Sequence, residues 1–108
     1  MKRIRGWQDR ADQFGRVVLR REELPISGYF VGPMIVDDAV PGSPLVTEEI
    51  FGPVVAVLPA RDFEHALELA NQTGFALTAG IVSRSPSRIE RASAMLRGGD
   101  IYVNRATS

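Results

Sequence analysis

The 108 residues contain no cysteine. That excludes disulfides, thiolate metal sites and a cysteine nucleophile within them. It also fits the reducing cytoplasm, which is the expected location. No apolar run approaches the roughly 20 residues that cross a bilayer, so no membrane partner is expected. The opening MKRIRGWQDR is basic, but no apolar segment comes after it as a secretory signal requires. Neither sign of charge is in excess: 13 Lys and Arg stand against 13 Asp and Glu. A nucleic-acid surface is not expected from that balance. GxGxxG and GxxxxGK[ST] are both missing, so this chain has no glycine loop for gripping phosphates.

What is present reads as an ordinary globular segment. Hydrophobic residues make up 44% and charged residues 24%, which excludes a disordered tail. The length suffices for one small core but not for two independent ones. Ile4, Trp7, Ala11 and Phe14 recur every three or four residues and predict an amphipathic helix stopping near Gly15. Trp7 lies in that stripe, which favours packing over ligand stacking. Val17 to Leu19 predicts a short strand, and residues 20–23 (RREE) a solvated charge run. Tyr29 to Val31 and Met34 to Val36 predict strand broken at Gly32-Pro33, hence an edge strand or a bend.

The second half is more regular. Val54 to Leu58 is a continuous apolar run, as in a strand covered on both faces. Asp62 is a predicted N-cap, with Phe63, Ala66, Leu67 and Ala70 on one helix face and Gly74 beyond its end. Thr78 to Ser83 predicts a strand. Ser85-Pro86 then opens a helix whose inward face is Ile89, Ala92 and Leu96, with a stop at Gly98-Gly99. Ile101 to Val103 is a last strand. The expected fold is α/β: a parallel βαβαβ unit over 54–103, with an N-terminal helix over 1–15 and irregular edge strands over 16–53.

Few residues suggest chemistry. His65, the only histidine, has no second ligand or nucleophile at a useful spacing and reads as a surface residue. Asp37-Asp38 lacks further ligands and reads as a turn. The stretch TEEIFGPV at 47–54 is less ordinary. Glu48 and Glu49 are adjacent, so in extended chain they point opposite ways and cannot act as a paired acid and base. One of them, however, can accept hydrogen bonds from a diol, and an aromatic two positions on can cover a flat ring. Glu49 and Phe51 have that spacing, with Gly52-Pro53 to fix the bend. The alternative is a plain lead-in to a strand, with Phe51 in the core and both acids in water. Against a site here, open parallel sheets usually bind ligands at the carboxyl ends of strands, and these residues precede one.

The blocks GYFVGPMIVDD, PLVTEEIFGPVVAVL, DFEHALELAN and GDIYVNR, in that order, resemble the C-terminal part of the catalytic domain of NAD(P)-dependent aldehyde dehydrogenases. The IYVNR ending and ARDFEHALELAN make the branch acting on delta-1-pyrroline-5-carboxylate, or glutamate semialdehyde, the nearest in character. That branch oxidises its substrate to glutamate in proline catabolism. The resemblance covers about 15 to 105. It implies that Glu49 bonds the nicotinamide ribose hydroxyls of NAD and that Phe51 packs beside the nicotinamide. Asn104 and the residues after it would lie on the approach to a substrate-anchoring loop. The family's cysteine nucleophile, glutamate base, asparagine oxyanion donor and Rossmann-type domain have no counterpart here. The resemblance therefore implies a truncated subdomain, one wall of an active site and inactive alone. The other reading is an assembly module that self-associates or complements an upstream dehydrogenase half. A remnant with no selected role also stays open.

Overall fold

Residues 1–106 are described by the computed structural model. The chain divides into two units, Met1–Pro59 and Ala60–Ser108, and the boundary falls inside the segment expected to form one βαβαβ unit.

The first unit opens with α1 (Lys2–Gln8). The predicted helix ends sooner than its apolar stripe does. The Arg10 N–H turns back to the Trp7 carbonyl, and a single 3-10 turn occupies Ala11–Gln13. That tightening keeps the stripe facing inward. Trp7 and Ala11 are buried, Ile4 and Phe14 are half-buried, and the Trp7 and Phe14 rings lie 6.4 Å apart. Packing is thus the role of Trp7.

Three strands carry this stripe: β1 (Arg16–Arg20), β2 (Met34–Asp37) and β3 (Val54–Ala56), in the order β1-β2-β3. A single helical turn, α2 (Pro44–Thr47), lies between β2 and β3 in the chain. β1 runs antiparallel to β2, with a bulge between Val17 and Leu19, and β3 runs parallel to β2. β2 is therefore central, not the expected edge strand. Pro33 stands just outside its first residue, so its missing N–H takes nothing from the ladder. For the same reason Tyr29 to Val31 is not strand, and Tyr29 is exposed. Met34 and Val36 on β2 are 1% and 0% exposed and form the core with Trp7, Ala11, Leu45 and Ile50. β3 is shorter than predicted, and Val55 and Val57 are exposed, so only one of its faces is covered in this chain.

The second unit contains α3 (Phe63–Ala70), β4 (Thr78–Ile81), α4 (Pro86–Met95) and β5 (Asp100–Val103). β4 and β5 pair in parallel across α4, from Thr78↔Asp100 to Ile81↔Val103. The α/β class and the parallel pairing hold, but the expected three-strand run is shared between two sheets. β3 takes β2 as its partner: the Met34 N–H bonds Pro53 O, and the Val57 N–H bonds Val36 O. Alternation of strands and helices orders elements along the chain without naming neighbours.

Local signals set both helices. The Asp62 side chain accepts the His65 N–H at 2.8 Å, and the Ser85 hydroxyl accepts the Arg88 N–H at 3.4 Å. Leu67, Leu69 and Ala92 are buried, whereas Ala70 is exposed, so Leu69 replaces it on the inward face. α4 ends at Met95, with Leu96 as its C-cap, ahead of the glycines. The Asn71 side chain donates to Met95 O at 2.8 Å and accepts the Arg97 N–H at 2.9 Å, satisfying the end of the helix from outside.

Candidate functional site

The segment 47–54 is built from its two ends inward. Ser43-Pro44 starts the single turn α2, and the Glu48 N–H closes it on Pro44 O at 3.0 Å. Glu48 then turns extended. At the far end, the Met34 N–H to Pro53 O bond of 2.9 Å ties the segment to the central strand. Between these ends, Ile50 is buried in the core cluster while Glu49 and Phe51 on either side of it are exposed. Ile50 thus anchors the segment to the interior, while the residues on either side of it face outward.

Phe51 is 81% exposed and has φ of +53°. For a side chain with a Cβ this left-handed region costs roughly 1–2 kcal/mol, and bulky residues seldom occupy it. Such a residue persists only where its surroundings over-determine it. Here they do. The Arg3 guanidinium donates to Glu49 O at 3.2 Å and to Ile50 O at 2.6 Å. Gly52 lies so close to α1 that an added Cβ would stand 2.8 Å from the Ile4 side chain. The Val54 N–H closes the turn on Gly52 O at 2.8 Å.

Two open groups result, an unshielded aromatic ring and a carboxylate. Among the described residues no side chain bonds the Glu49 carboxylate; only its backbone carbonyl is used. Both carboxylate oxygens can accept O–H donors from a diol, and the ring can cover a planar group. An acceptor for a diol and a ring for a planar group are thus both exposed on one short segment. Phe51 as a core residue, the alternative allowed by spacing, is overturned by its exposure.

The other sequence candidates have local partners. His65 Nδ1 accepts the Arg61 N–H at 3.1 Å, in the first turn of α3. Asp37 and Asp38 are both bridged by Arg16; Asp37 ends β2, contrary to the expected turn, and only Asp38, with φ of +49°, lies in the bend after it. Asn104, at the end of β5 with φ of +53°, exchanges two hydrogen bonds with the Ser83 backbone, at 2.9 and 3.0 Å. The residues expected beyond it on a substrate-loop approach include 107 and 108, outside the described residues. No group of three or more metal-ligating side chains occurs among the described residues, and no helix there is long and apolar enough to cross a membrane.

Sequence reasoning missed Arg3. A signal existed: Lys2 and Arg3 put positive charge in the first helical turn with no acid there, against the helix dipole. A cation so placed needs another reason, and two carbonyls of a distant turn supply it.

The aldehyde dehydrogenase family model matches residues 1–108. The 1-pyrroline-5-carboxylate dehydrogenase of Geobacillus kaustophilus is 42% identical over 93 residues, covering 86% of this chain and 18% of that protein. The enzyme of that name from Bacillus subtilis (strain 168) is 42% identical over 91 residues, covering 84% and 18%. Among solved structures, 1-pyrroline-5-carboxylate dehydrogenase from Thermus with bound NAD superposes with a TM-score of 0.94 at 34% identity. That match covers 99% of this chain and 21% of the other. Proline utilization A from Bdellovibrio bacteriovorus gives 0.94 at 39% identity, over 99% of this chain and 11% of that one. The chain spans less than a fifth of the length of the curated relatives it matches.

Proposed function

The chain belongs to the aldehyde dehydrogenase family, and from that premise we propose that it supplies one wall of the nicotinamide-ribose pocket of a dehydrogenase oxidising glutamate semialdehyde to glutamate. One observation carries this: Glu49 and Phe51, both exposed, flank a buried Ile50, with Phe51 held in the left-handed region. The names of the relatives support the substrate class, and the NAD-bound Thermus structure supports the cofactor. NAD, when bound, supplies the hydride acceptor. The chain's own part is to orient it. The Glu49 carboxylate accepts the ribose hydroxyls, and the Phe51 ring covers one side of the nicotinamide and keeps water from it. These 108 residues hold no thiol, so a thiolate nucleophile comes from outside them.

The chain alone, given NAD and the semialdehyde, is expected to produce no NADH; steady NADH formation would refute the division of labour. A chimera tests the pocket directly. This chain replaces the segment it matches in the Bacillus subtilis relative, and Glu49→Gln is then introduced. Losing a charged acceptor should raise KM for NAD about ten- to a hundred-fold, with KM for the aldehyde unchanged. An unchanged KM for NAD would overturn the role of Glu49.

A second reading is association with the polypeptide that carries the thiol, or with another copy. It is supported by Leu77 and Val82, 82% and 87% exposed. A monomer by size exclusion at high concentration, with no complex on mixing, would remove it.

A further inference from the structure

We propose that Arg3 is a positioning residue for the cofactor wall: by donating to the carbonyls of Glu49 and Ile50, it holds the turn in which Phe51 adopts its left-handed backbone. The inference rests on the reading of Glu49 and Phe51 as that wall. Arg3 bonds the backbone and not the Glu49 carboxylate, at 3.2 and 2.6 Å. The carboxylate therefore stays open while its main chain is fixed. The two carbonyls are consecutive, and a planar guanidinium presents its two N–H groups as a fork that reaches both. The next residue of α1 completes the grip, since the Ile4 side chain lies so close to Gly52 that an added Cβ would stand 2.8 Å from it and force one of them to shift. Arg3 and Ile4 thus enclose Phe51 from the carbonyls before it and the glycine after it. Phe51 stays 81% exposed, so the grip sets direction without occupying the site.

A planar fork predicts a graded series. Arg3→Met removes both donors, and Arg3→Lys restores a cation that cannot reproduce the fork. The first measurement needs no cofactor. Amide exchange of the full 108-residue chain, monitored by NMR, should quicken about tenfold or more in Arg3→Met at the Val54 N–H, which closes the turn on Gly52 O. The Val57 amide, bonded to Val36 O in the sheet, should keep its rate, and Arg3→Lys should fall between. A Phe51→Gly background provides the control. Glycine adopts positive φ without strain, so Arg3→Met should quicken exchange there by a smaller factor. Unchanged exchange in Arg3→Met, equal acceleration throughout the first unit, or the same factor in both backgrounds would each overturn the proposal.

The chimera supplies the functional arm. Arg3→Met should raise KM for NAD about tenfold with KM for the aldehyde unchanged, and Arg3→Lys should recover part of it. If Glu49→Gln raises KM for NAD and Arg3→Met does not, Arg3 is not a positioning residue. If Glu49→Gln has no effect, the cofactor reading fails, while the exchange data still decide whether Arg3 holds the turn.

Discussion

The two units of this chain are ordered by different means. Met1–Pro59 has an interior, in which Met34 and Val36 on the central strand are sealed by Trp7, Ala11, Leu45 and Ile50. In Ala60–Ser108 only Leu67, Leu69 and Ala92 are buried hydrophobics among the described residues, while Phe75, Leu77, Val82 and Met95 stand exposed. Its order comes from the parallel β4–β5 pair, helix caps, the Asn71 bridge and an ion pair. The contrast extends to how left-handed backbone is held. A left-handed phenylalanine needs neighbours that cannot relax, and Ile50, locked in the packed interior beside Phe51, is such a neighbour. The second unit's own left-handed side chain, Asn104, is held instead by its two hydrogen bonds to the Ser83 backbone.

The sharpest way to break this contrast is to open the interior. Met34→Ala should destabilise the first unit by about 2–5 kcal/mol, the transfer loss plus the cavity left behind. Trp7 is the only tryptophan and lies in the same core, so urea unfolding monitored by its emission reports this unit. Leu77→Ala, at an exposed position of the other unit, should change stability by no more than about 0.5 kcal/mol. Equal losses from the two would erase the distinction between the units.

The next effect is smaller and belongs to the second unit. Asp62→Ala removes the side-chain acceptor of the His65 N–H and should cost about 1 kcal/mol. Amide exchange over α3 would register it, and Asp62→Asn should recover most of the loss. If Asp62→Ala leaves α3 as protected as before, caps do not organise this unit.

The same difference decides what could be read from the residues in order. The caps at Asp62 and Ser85-Pro86 act within one turn of chain, and both are where the pattern puts them. The exposure of Glu49 and Phe51 was one of two arrangements their spacing left open, and the left-handed backbone at Phe51 was not legible. Long-range contacts were not legible either. Nothing local reveals that β3 pairs with β2, that Asn71 caps a helix 24 positions away, or that Arg3 reaches 46 and 47 positions along the chain. The apolar run at 54–58 misled because it implies cover on both faces, and this chain supplies cover for one.

The smallest effect concerns the pair joining α3 to α4. Arg91 donates two hydrogen bonds to the Glu64 carboxylate, at 3.1 and 3.0 Å. Those bonds, with the attraction between the charges, hold Glu64 below its ordinary range and raise Arg91 above its own. A carboxyl depressed in the folded state binds fewer protons there than when unfolded. Its contribution is therefore present above the unfolded carboxylate range and is lost as pH falls through the lower, folded value. The arginine end of the linkage lies at strongly alkaline pH, so the acid side is where it shows. Both side chains are half or more exposed, and solvent and salt screen them. The expected signature is a difference in α3 amide protection between the parent chain and Glu64→Gln. It should be present at neutral pH, smaller in about 1 M salt, and gone in acid below the folded value. A difference that survives acid would trace the protection to packing of Leu67 and Ala92 and leave the pair no part in holding the two helices.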